Sequence, residues 1–312
     1  MKIALIVLAC VVGFIVFFLL PTIHCSFYMA FLNRNKKTEE DVEFPSMYDD
    51  YKDTLNEWVN MAKTLPHTDL EIKSFDNLTL RGKYYEYQKG AITEILFHGY
   101  RGSSFRDMAG GIDRCFKMGR NAIIVDQRAC GISDGTVISF GVNERKDCVA
   151  WAKKAVELLG EDCKITLTGI SMGAATVMLA SELDLPKNVI GIIADCGYSD
   201  TKEMIYKYMN GIHVSPKFMY PFVKMGARIF GKFKLEERSP IEALANSKVP
   251  VFFIHGDQDK MVPYYMSKDN FNACNSEKQL VTIEGAGHGL CYPLAPERYI
   301  NELKEFEKVM LK

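Results

Sequence analysis

The sequence has almost no net charge: 38 Lys and Arg against 39 Asp and Glu leave −1 over 312 residues. Without a cationic field to hold a polyphosphate, the chain is not expected to bind nucleic acid. It also has no C-x-x-C pair, no Cys/His group at metal-ligand spacing and an odd number of cysteines, nine in all. Neither a disulfide framework nor a structural metal site is therefore encoded, and the cysteines read as free thiols in a reducing setting. Internal repeats and low-complexity tracts are absent too, and 48% hydrophobic against 25% charged residues is no composition for a disordered chain. What remains is a chain long enough to bury a large core.

One long uncharged run is present. Ile3 to Leu20 carries no charge, and the apolar pattern continues past Pro21 to Ile23. As a helix, residues 3–23 span about 31 Å at roughly 1.5 Å per residue, the thickness of a bilayer's hydrocarbon core. A secretory signal has a shorter apolar region and a small-x-small cleavage site, whereas this run ends in Pro21-Thr22-Ile23-His24-Cys25. Lipoprotein processing before Cys25 is excluded by His24, which stands where a small residue is needed. The expectation is an uncleaved single-pass membrane anchor in residues 1–34. Lys2 and the amino terminus on one side are balanced by Arg34, Lys36 and Lys37 on the other, so charge does not orient the span.

Residues 35–69 are expected to be a charged spacer followed by an amphipathic helix, since Met47, Tyr51, Leu55, Trp58, Ala62 and Leu65 recur at steps of three and four. No catalytic candidate lies before Ser171 except a loop donor, so a chain begun near Thr38 is expected to keep its activity. From residue 70 the pattern changes. An antiparallel pair (Glu71 to Phe75, Leu78 to Tyr87) is followed by six short strands that alternate with helical stretches, beginning at Thr93, Asn121, Lys164, Val189, Val251 and Gln279. Such alternation predicts an α/β fold with a mostly parallel sheet of about eight strands and helices on both faces, in one domain spanning residues 70–312.

In such a sheet ligands bind beyond the carboxyl ends of the strands. After Lys164 to Thr168 comes Gly169-Ile170-Ser171-Met172-Gly173, then a helix-forming run. A serine on a sharp strand-to-helix turn is strained and needs glycines two residues either side, which leaves its hydroxyl exposed as a nucleophile. Its base is expected to be His288, on the glycine loop Gly285-Ala286-Gly287-His288-Gly289. Its acid is expected after Val251 to Ile254, where Asp257 and Asp259 both stand in His255-Gly256-Asp257-Gln258-Asp259-Lys260-Met261-Val262-Pro263, with Asp195 at the end of the sixth strand as a rival. His98 and His255, which end strands in His-Gly pairs, read as structural. The turn Phe97-His98-Gly99-Tyr100-Arg101-Gly102 can aim a backbone N–H at a developing oxyanion, and the N–H groups of Tyr100 and Met172 are the natural pair. A calcium loop starting at Asp257 is excluded by Val262 and Lys268 at its sixth and twelfth positions.

With His-Gly after one strand, Asp126-Gln127-Arg128-Ala129-Cys130-Gly131-Ile132-Ser133 after the next, then G-x-S-x-G, H-G-x-x-D-x-x-V-P and G-x-G-H, the chain resembles the α/β-hydrolase superfamily across residues 70–312. It is similar there to bacterial single-pass hydrolases related to the esterase, monoacylglycerol lipase and serine aminopeptidase branches. The resemblance implies that Asp259, before x-x-V-P, is the acid and that Tyr100 and Met172 are the oxyanion donors. Dehalogenase and epoxide hydrolase chemistry, which uses an Asp nucleophile on this fold, is excluded by Ser171. The expected function is membrane-tethered ester hydrolysis through an acyl-enzyme on a small or lipid-like acyl substrate, with no cofactor and no metal. Peptidase, thioesterase and acyltransferase activity would use the same residues. A helical cap insertion at about 200–248, between strands six and seven, is basic and aromatic and is expected to lean over Ser171 as a lid.

Overall fold

The computed structural model describes residues 2–38 and 41–312. The amino-terminal residue, weighed above in orienting the span, and residues 39 and 40 of the charged spacer lie outside the described residues. Eight strands form one sheet: β1 (Thr68–Lys73), β2 (Thr79–Tyr85), β3 (Thr93–Phe97), β4 (Asn121–Val125), β5 (Ile165–Ile170), β6 (Val189–Asp195), β7 (Val251–Gly256) and β8 (Lys278–Ile283). Their order is β1-β2-β4-β3-β5-β6-β7-β8. β2 runs antiparallel to β1 and β4, and all other pairs are parallel. β3 and β4 are buried at every position, as their runs of Ile, Leu and Val require when helices cover both faces.

Glu94 of β3 is buried among two arginines. Arg114 lies 2.5 Å from one of its oxygens and Thr168 Oγ1 donates to the same oxygen at 2.9 Å, while Arg120 bridges Glu94 to Glu307. The helix Lys52–Thr64 packs on the helix Ser104–Lys117 through Trp58, whose ring would lie 2.6 Å from a Cβ at Gly110. Only glycine permits that approach. Trp58 then stacks on Tyr292 with ring centres 5.3 Å apart, so the helix lies against the sheet's covering helices on its Trp58 and Ala62 side.

The N-terminal helix, Lys2–Phe31, is long and apolar enough to cross a membrane. Pro21 cannot donate to the preceding turn, and the helix widens into a π segment over Ile15–Leu19 immediately before it. None of its residues before Ile23 is buried, but Ile23, Ser26, Phe27 and Phe31 are. These pack on the cap, which sits between β6 and β7 as expected and consists of the helices Thr201–Gly211, Pro216–Ile229 and Pro240–Leu244. A Cβ at Gly226 would lie 2.8 Å from Phe27 Cβ, and Phe31 meets Phe233 and Phe140 edge-on at 5.2 and 5.8 Å. Past the helix, Leu32 bridges to Val137 and the Asn33 N–H donates to Thr136 O at 2.8 Å.

Candidate active site

Ser171 occupies the turn from β5 into the helix Met172–Ala180 with φ 56° and ψ −116°. A β-carbon is strained there, at a cost of about 1–3 kcal/mol, and the surroundings enforce it. A Cβ at Gly169 would come within 2.1 Å of Gly173, and one at Gly173 within 1.9 Å of Phe97 O. Both glycines of G-x-S-x-G are thus dictated by backbone meeting backbone. The Ser171 N–H donates to Asp195 O at 2.9 Å, and its hydroxyl is left at the end of the strand.

His288 Nε2 lies 3.0 Å from Ser171 Oγ, and His288 Nδ1 lies 2.7 Å from Asp259 Oδ2. The other oxygen of Asp259 accepts the N–H groups of Met261 and Val262, both at 2.8 Å. Burial on its own would raise the Asp259 carboxyl, but hydrogen bonds from His255 and His288 hold it well below the usual carboxylate range. The other two carboxylates are placed elsewhere. Asp257 is exposed and accepts the Gly285 N–H at 2.8 Å. Asp195 is buried, its Oδ1 has no hydrogen-bond partner among the described residues, and burial pushes its carboxyl up. Of the three acids weighed from the sequence, Asp259 is the one bonded to His288. Cys196 is the neighbouring thiol that completes the group of possible metal ligands, Cys196, Asp259 and His288. Burial raises that thiol well above its ordinary value, and the carboxylate and imidazole are already bonded to each other.

The Tyr100 and Met172 N–H groups make no hydrogen bond among the described residues, which leaves both free to donate. The loop that carries Tyr100 is fixed from two sides. Asp107 accepts the Gly99 N–H at 2.9 Å and is itself held by Arg106 Nε at 2.6 Å. On the other side, the Tyr100 hydroxyl donates to Ala30 O at 2.7 Å, and Arg101 donates to Met29 O and Leu32 O at 2.8 and 3.0 Å. The end of the N-terminal helix is capped by the loop beside the serine. His98 is structural as expected, its Nε2 accepting the Gln127 N–H at 3.0 Å and its Nδ1 lying 2.8 Å from Gly99 O.

Two features escape the sequence reading. His255, expected to be structural, is buried with Nδ1 2.6 Å from Ser267 Oγ and Nε2 3.0 Å from Val262 O, and the same Nε2 also lies 3.1 Å from Asp259 Oδ2. The spacing His255-x-x-x-Asp259 was visible; that both side chains turn inward was not. The second feature corrects the lid. Ser171 opens into a cavity of about 250 Å³ lined by Tyr100, Arg106, Asp107, Ile170, Met261 and the His288–Leu290 loop together with Phe44, Pro45, Met47, Tyr48 and Leu55. No residue between 200 and 248 lines it. The cap spends its apolar face on the N-terminal helix instead, and the spacer supplies the wall.

Residues 139–312 match the model of the prolyl oligopeptidase family, a stretch that includes Ser171, Asp259 and His288. The uncharacterized protein YqkD of Bacillus subtilis is 24% identical over 276 residues, 87% of each chain. The Pyrococcus furiosus esterase Pf2001 superposes with a TM-score of 0.64 at 23% identity, over 88% of this chain and 97% of that one. Est1E from Butyrivibrio proteoclasticus, with ferulic acid bound, gives 0.60 at 20% identity, over 78% and 99%. These likenesses show the α/β-hydrolase fold.

Proposed function

The chain belongs to the prolyl oligopeptidase family, and from that premise we propose that this serine hydrolase cleaves carboxylic esters through an acyl-enzyme while tethered to a membrane. The observation that carries the reading is the unbroken line of hydrogen bonds from Ser171 Oγ through His288 to Asp259. Ser171 attacks the ester carbonyl as His288 Nε2 takes its proton, and His288 returns that proton to the departing alcohol. Asp259 fixes the imidazole so that Nε2 faces the serine and offsets its charge while it is protonated. The N–H groups of Tyr100 and Met172 receive the oxyanion, and water repeats the sequence to release the acid. Support for an ester comes from the two esterase-like neighbours and from the apolar wall of the cavity. The family's name favours an amide as the second reading.

The tether rests on the contacts of the N-terminal helix. Residues 2–22 are 21 unburied residues, about 31 Å of helix and enough to cross a hydrocarbon core. A cleaved signal would take Ile23 with it and leave Phe27 and Phe31 at a frayed end, although all three are buried in the fold. We therefore place the boundary between span and catalytic domain at residue 22. The test of the activity is labelling by a fluorophosphonate probe beside hydrolysis of p-nitrophenyl esters and aminoacyl p-nitroanilides. Labelling and esterase turnover that both vanish in Ser171→Ala are expected. Anilide turnover without ester turnover would install the peptidase reading, and folded protein that never labels would remove the catalytic one.

A further inference from the structure

We propose that the segment following the N-terminal helix, residues 44–55, is the specificity wall of this hydrolase and sets the length of the neutral apolar chain the substrate may carry. The inference rests on the serine-hydrolase reading and deepens it. Phe44-Pro45-Ser46-Met47-Tyr48 has no charged side chain. Its tight turn, closed by the Tyr48 N–H donating to Pro45 O at 2.9 Å, holds the Phe44 and Tyr48 rings edge to face at 6.5 Å. Phe44 is packed against the buried cluster of Val59, Ala62, Phe105 and Ala109, so the wall is fastened to the core and is no loose flap. The Tyr48 hydroxyl lies 3.3 Å from where a Cβ at Gly289, the residue after His288, would be. That hydroxyl makes no hydrogen bond among the described residues.

The cavity's own charges decide what kind of chain fits. Arg106 and Asp107 both line it and are bonded to each other, so no uncompensated cation remains to receive a carboxylated chain, and burying one unpaired is costly. Its volume of about 250 Å³ leaves room for a short to medium hydrocarbon chain. The chain can be the acyl part of the ester or its alcohol, and the two are separated by experiment.

The test uses the full-length protein in detergent with two ester series, p-nitrophenyl esters of rising acyl length and acetates of rising alcohol length. The readout is the ratio of kcat/KM for the eight-carbon to the two-carbon member. Tyr48→Ala lengthens the cavity and should raise that ratio at least tenfold in one series. Met47→Trp fills it and should lower the ratio by a similar factor in the same series, whichever series responds identifying the part of the ester that lies there. Tyr48→Phe keeps the ring and should keep the ratio, which separates shape from folding defects, and thermal melting checks each variant. Fluorophosphonate labelling of Ser171 runs in parallel. Ratios unmoved by both Tyr48→Ala and Met47→Trp in protein that labels normally would overturn the wall alone, whereas unlabelled wild type would remove the hydrolase reading and the wall together.

Discussion

Asp259 holds two imidazoles, and only one of them reaches the serine. His288 lies directly against the carboxylate, while His255, buried and tied to Ser267 Oγ and Val262 O as well as to Asp259, is placed to steady that carboxylate, a positioning role its substitution tests. A hydrogen bond to a charged group contributes about 1.5–3 kcal/mol, so His255→Phe should lower kcat by roughly ten- to a hundredfold. KM for a short ester should stay within a factor of about three, and the Asp259 carboxyl should rise toward its ordinary value, since one of the bonds that holds it down is gone. Asp259→Asn should cost more, about 10⁴ in kcat. Equal losses in kcat and KM for His255→Phe would make it a packing residue only. At this scale the sequence was generous. G-x-S-x-G and G-x-G-H announce their residues because backbone crowding and loop geometry leave few alternatives. A choice between Asp257 and Asp259 does not show in composition, because it depends on which side of one tight turn each carboxylate leaves.

The elements were legible wherever periodicity is local. All eight strands lie within a few residues of their expected places: inner strands such as β3 and β4 are apolar runs because both faces are buried, and β1 alternates because one face is exposed. Assignments that depend on contacts across a hundred residues were not legible. The cap was expected over the serine because it is aromatic, yet an aromatic helix carries no mark of what it packs against, and here Gly226 and Phe233 receive Phe27 and Phe31. This changes what truncation should do. Removing residues 2–22 takes away only unburied helix, so that protein should stay folded and hydrolyse a water-soluble ester at close to the full-length rate. Starting at Thr38 also removes Ile23, Phe27 and Phe31, each worth about 1.5–3 kcal/mol of burial, and the carbonyls that hold Tyr100 and Arg101. That second protein should melt lower by several degrees and lose at least tenfold in kcat; full activity would return residues 23–37 to the status of a plain spacer.

For the molecule as a whole, acid is the condition most apt to unseat the sheet. Glu94 sits at its centre, and although burial alone would raise its carboxyl, Arg114 and Arg120 bring it down to about 2. A carboxyl lowered on folding stabilises the native state above its unfolded value, near 4.5, and that contribution fades as pH falls from there through the folded value. The Glu94 contribution to the urea midpoint should therefore be level above pH 5 and drop between about pH 4.5 and 2. Glu94→Gln should flatten that drop and lower stability by about 3–5 kcal/mol at neutral pH, because buried Arg114 loses its counter-charge and Arg120 keeps only Glu307. A variant with the wild-type acid limb would assign that limb to another group. The helix that leaves the cap has no loop at residue 22: its packed half runs through Pro21 and the π segment into its free half. If the free half spans a bilayer, as proposed, it leans in one thinner than its apolar length, and with no loop at residue 22 the domain behind it leans as well. Lipid thickness would then act as a steering variable, setting the angle at which the cavity mouth meets the membrane surface and with it which molecules lying in that surface are reached.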